Sequence, residues 1–123
     1  MSKKVEIKWL KAPEEHDYPA AASYLSLIYD DKKTASLVEK LRHAAVVQFK
    51  AKDIFRASGL SQLGISNAHV EHDQEKIESG EALSPLLLVR DSANGKVVIA
   101  DGYHRLCAVY SYNEDAVVPG KIV

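Results

Sequence analysis

Five consecutive residues, Asp101-Gly102-Tyr103-His104-Arg105, concentrate the chemistry of this 123-residue chain. They follow the apolar run ending at Ala100 and open a segment with helical spacing, so they predict a strand-to-helix junction. A helix start carries roughly +0.5 of an elementary charge, and acidic side chains are its usual companions. Here His104 and Arg105 stand in the first turn. That arrangement is mildly unfavourable when empty and becomes favourable once an anion sits among the amides, the imidazole and the guanidinium. The box therefore predicts a phosphate site. Gly102 would let the backbone approach the anion, the amides of Tyr103 and His104 would donate, and Arg105 would grip two oxygens. His104, with an ordinary pKa of about 6.5, is suited to donate to a transferring phosphoryl or to act as an acid. Asp101 has three candidate roles: orienting His104, holding Mg²⁺ through an oxygen, or capping the helix. Tyr103 is a candidate to stack on a base or line a pocket, with a core position as the plain alternative. The plain alternative for the whole box is an Asp101 cap, an Arg105–carboxylate pair and a solvated His104.

The second dense cluster is His69-Val70-Glu71-His72-Asp73. His69 and His72 are three apart and share a helical face, but two imidazoles without a third well-spaced ligand fall short of a metal site. If this helix faces the same pocket, Glu71 or Asp73 is a candidate general base, and His72 or Lys76 a candidate phosphate contact. The competing reading is a solvated helix whose acidic first turn suits its dipole. Ser58 and Ser84-Pro85 are read as turn chemistry, Trp9 as core or interface, and His43 as a cation near a helix C-terminus.

The elements that must position these residues follow from periodicity. Val5 to Leu10 alternates like a strand, and Pro13 ends it. Asp17 is a plausible N-cap for a helix beginning at Tyr18-Pro19, with Ala21, Tyr24, Leu25 and Ile28 on one face. Asp30-Asp31 stops that helix and caps the next, where Thr34, Val38, Leu41 and Ala45 share a face. So short a link predicts a helical hairpin. Val46 to Ala51 reads as a strand, Lys52 to Ser58 as one or two helical turns ended by Gly59, and 61–67 as a loop. Asn67 or Ser66 caps a helix from about His69 to Glu78, ended by Ser79-Gly80. Leu86–Arg90 and Lys96–Ala100 flank Asn94-Gly95, a hairpin signal. The box then opens a helix to about Tyr112 with Leu106, Val109 and Tyr110 inside. Val117 to Val123 is a strand interrupted by Pro119-Gly120.

The length fits one domain, about two-thirds of whose extended surface is buried on folding. A net charge of −1 argues against wholesale nucleic-acid binding. The single cysteine, Cys107, allows no internal disulfide and suits a reducing cytoplasm. No apolar run approaches a membrane span, and the start lacks the apolar core of a secretory signal. An exposed strand edge makes a homodimer conceivable.

From about Val46 onward the chain resembles the ParB/sulfiredoxin superfamily. The matching residues are Lys76-Ile77, Gly80, Leu83-Ser84-Pro85-Leu86-Leu87-Leu88-Val89, Asp101-Gly102-Tyr103-His104-Arg105 and Ala108. The resemblance covers a little over half the chain. It implies an α/β (α+β) fold with a small mixed sheet, a ParB/sulfiredoxin-like core at about 46–123 and an N-terminal helical addition at about 1–45. Members hold nucleotide phosphates with this box. Sulfiredoxins bind ATP and reduce oxidised peroxiredoxins, ParB proteins bind and hydrolyse CTP, and related free-serine kinases carry an Asp-Gly-His-His-Arg version. Two departures narrow the expectation. The residue before the His is Tyr103 where sulfiredoxins carry their catalytic cysteine, and no helix-turn-helix DNA reader follows the box.

The resemblance thus implies ATP or CTP with Mg²⁺, and a phosphotransferase or nucleotide hydrolase acting on a small molecule or protein partner. His104, Asp101 and Glu71 are the candidate catalytic residues, and Gly102, Tyr103, His104, Arg105, His72 and Lys76 the candidate ligand contacts. A non-catalytic nucleotide sensor and a ParB-like nuclease are the alternatives. The near-neutral charge disfavours the nuclease.

Overall fold

A computed structural model describes residues 6–61 and 67–123. It is a mixed α+β fold: α1 (Asp17–Leu25), α2 (Asp31–His43), β1 (Val47–Lys50), α3 (Ala51–Ser58), α4 (Ala68–Ser79), β2 (Leu86–Asp91), β3 (Lys96–Asp101), α5 (Tyr103–Tyr112) and β4 (Val117–Ile122). A single 3₁₀ turn, Ser92–Asn94, joins β2 to β3. Among the described residues no helix is long and apolar enough to cross a membrane.

The sheet order is β1-β4-β2-β3. β4 runs antiparallel to β1 and parallel to β2, and β2 is antiparallel to β3. The central run Leu86-Leu87-Leu88-Val89 is continuously apolar because both faces of β2 are covered. Leu86 and Leu88 pack with Ile54, Phe55, Val70, Ile77 and Leu106 under α3, α4 and α5. Leu87 and Val89 pack with Tyr18, Ala21, Leu25, Leu37 and Leu41 under α1 and α2. The two N-terminal helices are therefore one of three layers, closing a sheet face that would otherwise be bare.

Several expected elements stand where the pattern put them. Asp30 caps α2 by accepting from the Lys33 amide at 2.7 Å, and Asn67 caps α4 by accepting from His69 and Val70. Gly59 and Gly80 end α3 and α4 in left-handed conformation. Four expectations need correction. Residues 6–10 form no strand: Trp9 makes one isolated bridge to Leu83, which lies in the loop before β2 and offers no longer partner. Val5, Ser66 and most of the loop expected at 61–67 lie outside the described residues. On α1, Tyr24 and Ile28 are exposed, because the helix stops at Leu25 and the buried face is Tyr18, Ala21 and Leu25. On α2 the buried residues are Thr34, Leu37 and Leu41, and Ala45 falls beyond the helix end. β4 is not interrupted: Pro119 is accommodated because β2 pairs with β4 only from Gly120 onward.

Candidate functional site

The box lies where β3 meets α5, and a break in register decides how Asp101 is aimed. Leu88 pairs with Ile99 but Leu87 pairs with Asp101, so Ala100 is passed over. Strict alternation would put Asp101 on the face of Ile99. The bulge turns it instead to the face that α1 covers, the usual effect of an extra residue beside a site. Gly102 follows with φ +106° and is the N-cap of α5, with no side-chain cap bond. A Cβ there would stand 2.8 Å from Leu86 Cγ and 2.9 Å from Arg105 Nη2. Its glycine is thus required by the backbone turn and by the protein's own packing.

Arg105 folds back across the helix start. Its Nη2 donates to Asp101 Oδ2 at 2.9 Å and approaches the Pro85 carbonyl at 3.5 Å, while Nε is buried without an acceptor. This corrects the expected free two-oxygen grip: part of the guanidinium is already committed to Asp101. The Asp101 cap is corrected as well, since its carboxylate turns to Arg105. Burial pushes the Asp101 carboxyl up from its usual range, Arg105 draws it back, and the neighbouring Asp17 carboxyl pushes it up again, with a net rise.

His104 points the other way, towards α4, with its ring centroid 4.8 Å from that of His69. Burial lowers its imidazole below the ordinary value, His69 and Arg105 lower it further, and Asp73 opposes them. The Tyr103 hydroxyl donates to the Ser61 carbonyl, its ring meets Phe55 edge-on at 6.4 Å, and burial and Cys107 raise its phenol. Tyr103 is both pocket wall and core edge.

Between α4 and α5 lies a cavity of about 150 Å³ lined by His69, His72, Asp73, Asp101, Gly102, Tyr103, His104 and Arg105. That is room on the order of five waters, suited to a phosphoryl-sized group. A second cavity of about 320 Å³ adjoins it, sharing Asp101 to His104 and adding Ala20, Tyr24, Leu60, Ile99 and Ala100. The structure thus brings together the box, His72, Asp73 and His69. It leaves out two candidates: Glu71 is exposed and Lys76 half-buried, and neither lines these cavities. Helical spacing explains Glu71, which points off the face that His69, His72 and Asp73 turn towards α5; Lys76 shares that face but stands one turn further along α4. A larger cavity of about 620 Å³ lies near β1 and β4, with Lys11 as its single charged lining residue, so titratable groups do not converge there.

Asp17 is the site neighbour that the spacing did not reveal. Its side chain is only 3% exposed, and it caps nothing. Oδ2 accepts from the Glu14 amide at 3.0 Å and from the Ser84 hydroxyl. A contact between residues so far apart in sequence leaves no local signal. Among the described residues no group of three His, Cys, Asp or Glu side chains is arranged to hold a metal ion. No family model, curated protein or solved structure matches the chain.

Proposed function

We propose that the protein binds a phosphorylated ligand, a nucleotide such as ATP or CTP, with its phosphate at the start of α5. One observation carries the reading: a small cavity on which His69, His72, His104 and Arg105 converge, with the undonated amides of a helix start at its edge. The adjoining, more apolar space beside Tyr24, Leu60 and Tyr103 would take the non-phosphate part. Resemblance of the box to the ParB/sulfiredoxin pattern supports the same ligand class. A Mg²⁺ carried by the ligand would need one or two carboxylates, and Asp73 is better suited than Asp101, which Arg105 already holds.

Turnover would be phosphoryl transfer or nucleotide hydrolysis, with Arg105, His104 and the helix amides stabilising charge on the transferring group. The engagement of Arg105 with Asp101 favours a second reading, a binder without turnover. Titration calorimetry with ATP, ADP, CTP and inorganic phosphate tests the proposal. Saturable heat that disappears in Arg105→Ala supports it, and product analysis then separates enzyme from sensor. No heat at millimolar concentration overturns it.

A further inference from the structure

The N-terminal helices do more than cover a sheet face. α1 turns Tyr18, Ala21 and Leu25 into the core, and that leaves Tyr24 43% exposed. Tyr24 belongs to neither of the two packed clusters. Ala20, one turn back, shares its helical face. Together they form the α1 wall of the cavity of about 320 Å³ that adjoins the phosphate-sized one.

The rest of that lining is small, apolar or already fixed. Ala100 brings little side chain, and Gly102 has no room for any. Tyr103 supplies a second aromatic ring, held by its hydroxyl on the Ser61 carbonyl and by the edge contact with Phe55. Leu60 and Ile99 are apolar. The two ionisable lining groups are turned elsewhere, Asp101 to Arg105 and His104 to His69. Two tyrosines and small residues around one space suit a flat ring better than a polar chain. At about 320 Å³ the space stands at the low end of small-molecule sites, so it takes one compact group.

Continuity says what that group is attached to. Both cavities share Asp101, Gly102, Tyr103 and His104, so a ligand with its phosphate in the smaller one extends into the larger. On the reading of the box as a phosphate site, on which this inference rests, we propose that Tyr24 is a ligand-binding residue: its ring is the platform on which the base of a bound nucleotide stacks. The proposal gives α1 a direct contact with the ligand, although α1 lies outside the segment that resembles the ParB/sulfiredoxin pattern. Stacking of a base on an aromatic side chain strengthens binding by roughly five- to a hundredfold.

The test is titration calorimetry on the full chain with two probes, ATP and inorganic triphosphate, which carries the phosphates without a ring. The expected result is that ATP binds about tenfold tighter or more, that Tyr24→Ala removes this advantage and that Tyr24→Phe keeps it. Inorganic triphosphate should bind equally to all three proteins. Tyr24 is outside the packed clusters, so its truncation leaves the core intact. Nuclear Overhauser contacts between the adenine protons and the Tyr24 ring read the stack directly in the unaltered protein. ATP affinity that is unchanged in Tyr24→Ala, or no greater than that of inorganic triphosphate, overturns the proposal and leaves the phosphate site standing. Failure of both probes to bind overturns the phosphate reading, and this proposal with it.

Discussion

Arg105 Nη2 lies 2.9 Å from Asp101 Oδ2, so the cation of the helix start is held by the residue just before its N-cap. Replacing Arg105 has two separable consequences. Phosphate or nucleotide affinity should fall by about tenfold to a hundredfold, the worth of a charge-assisted hydrogen bond. Arg105→Lys should recover little, because an ammonium cannot reproduce the planar fork. Stability should also fall, by ~2 kcal/mol in Arg105→Ala, since a largely buried carboxyl loses its partner. Calorimetry and urea unfolding read the two effects separately.

Gly102→Ala should destabilise the fold by ~2–3 kcal/mol. The new methyl group would meet a positive φ and stand 2.8 Å from Leu86 Cγ. Urea midpoints check this. A cost under about 0.5 kcal/mol, the range of a neutral surface change, would mean that the turn relaxes freely.

His104 links the site to pH. Its folded imidazole is held below the ordinary value, so folding favours the neutral form. The unfolded chain, titrating at about 6.5, takes up the proton first as pH falls. The contribution of His104 is therefore complete above that value and is lost as pH falls through it towards the lowered folded pKa. His69→Gln removes one of the lowering influences, and the His104 titration followed by imidazole proton NMR should move upward. A bound phosphoryl anion should raise it as well, so binding should strengthen between pH 7.5 and 6, an interval that spans the ordinary value of about 6.5.

Tyr112 gives a control on the alkaline side, away from the pocket. Its hydroxyl donates to Glu78 at 2.7 Å, tying α5 to α4, and burial with that carboxylate pushes the phenol up to about 12. A raised phenol favours the protonated folded form. Its contribution is full below the unfolded value of about 10 and is lost as pH rises from there through the folded one. Tyr112→Phe should therefore flatten the loss of thermal stability above pH ~10 and leave nucleotide binding unchanged.

Much of the scaffold is legible because its signals are local. Asp30 and Asn67 cap helices, Gly59 and Gly80 end them, and Leu86–Arg90 with Lys96–Ala100 reads as a hairpin. Helical spacing puts His69, His72 and Asp73 on one face, but that this face meets the box is an expectation from the resemblance and not from the spacing. What stayed hidden depends on distant partners. Asp17 looks like a cap because Asp before Tyr-Pro ordinarily is one; only the arrival of Ser84 from the loop before β2 makes it a buried acid. The bulge at Ala100 follows from pairing with β2, and a smooth alternating run gives no sign of it. Glu71 and Asp73 differ by two positions, which on a helix moves a side chain to another face.

The insertion of β4 between β1 and β2 also governs how the chain is born. β1 and β2 share no hydrogen bonds of their own, and residues 117–122 are the seam that joins them. During synthesis residues 117–122 must leave the ribosome before the two halves of the sheet can be stitched. Until then the β2–β3 hairpin carries an unzipped flank, and those are the moments when a nascent chain needs shelter from its neighbours.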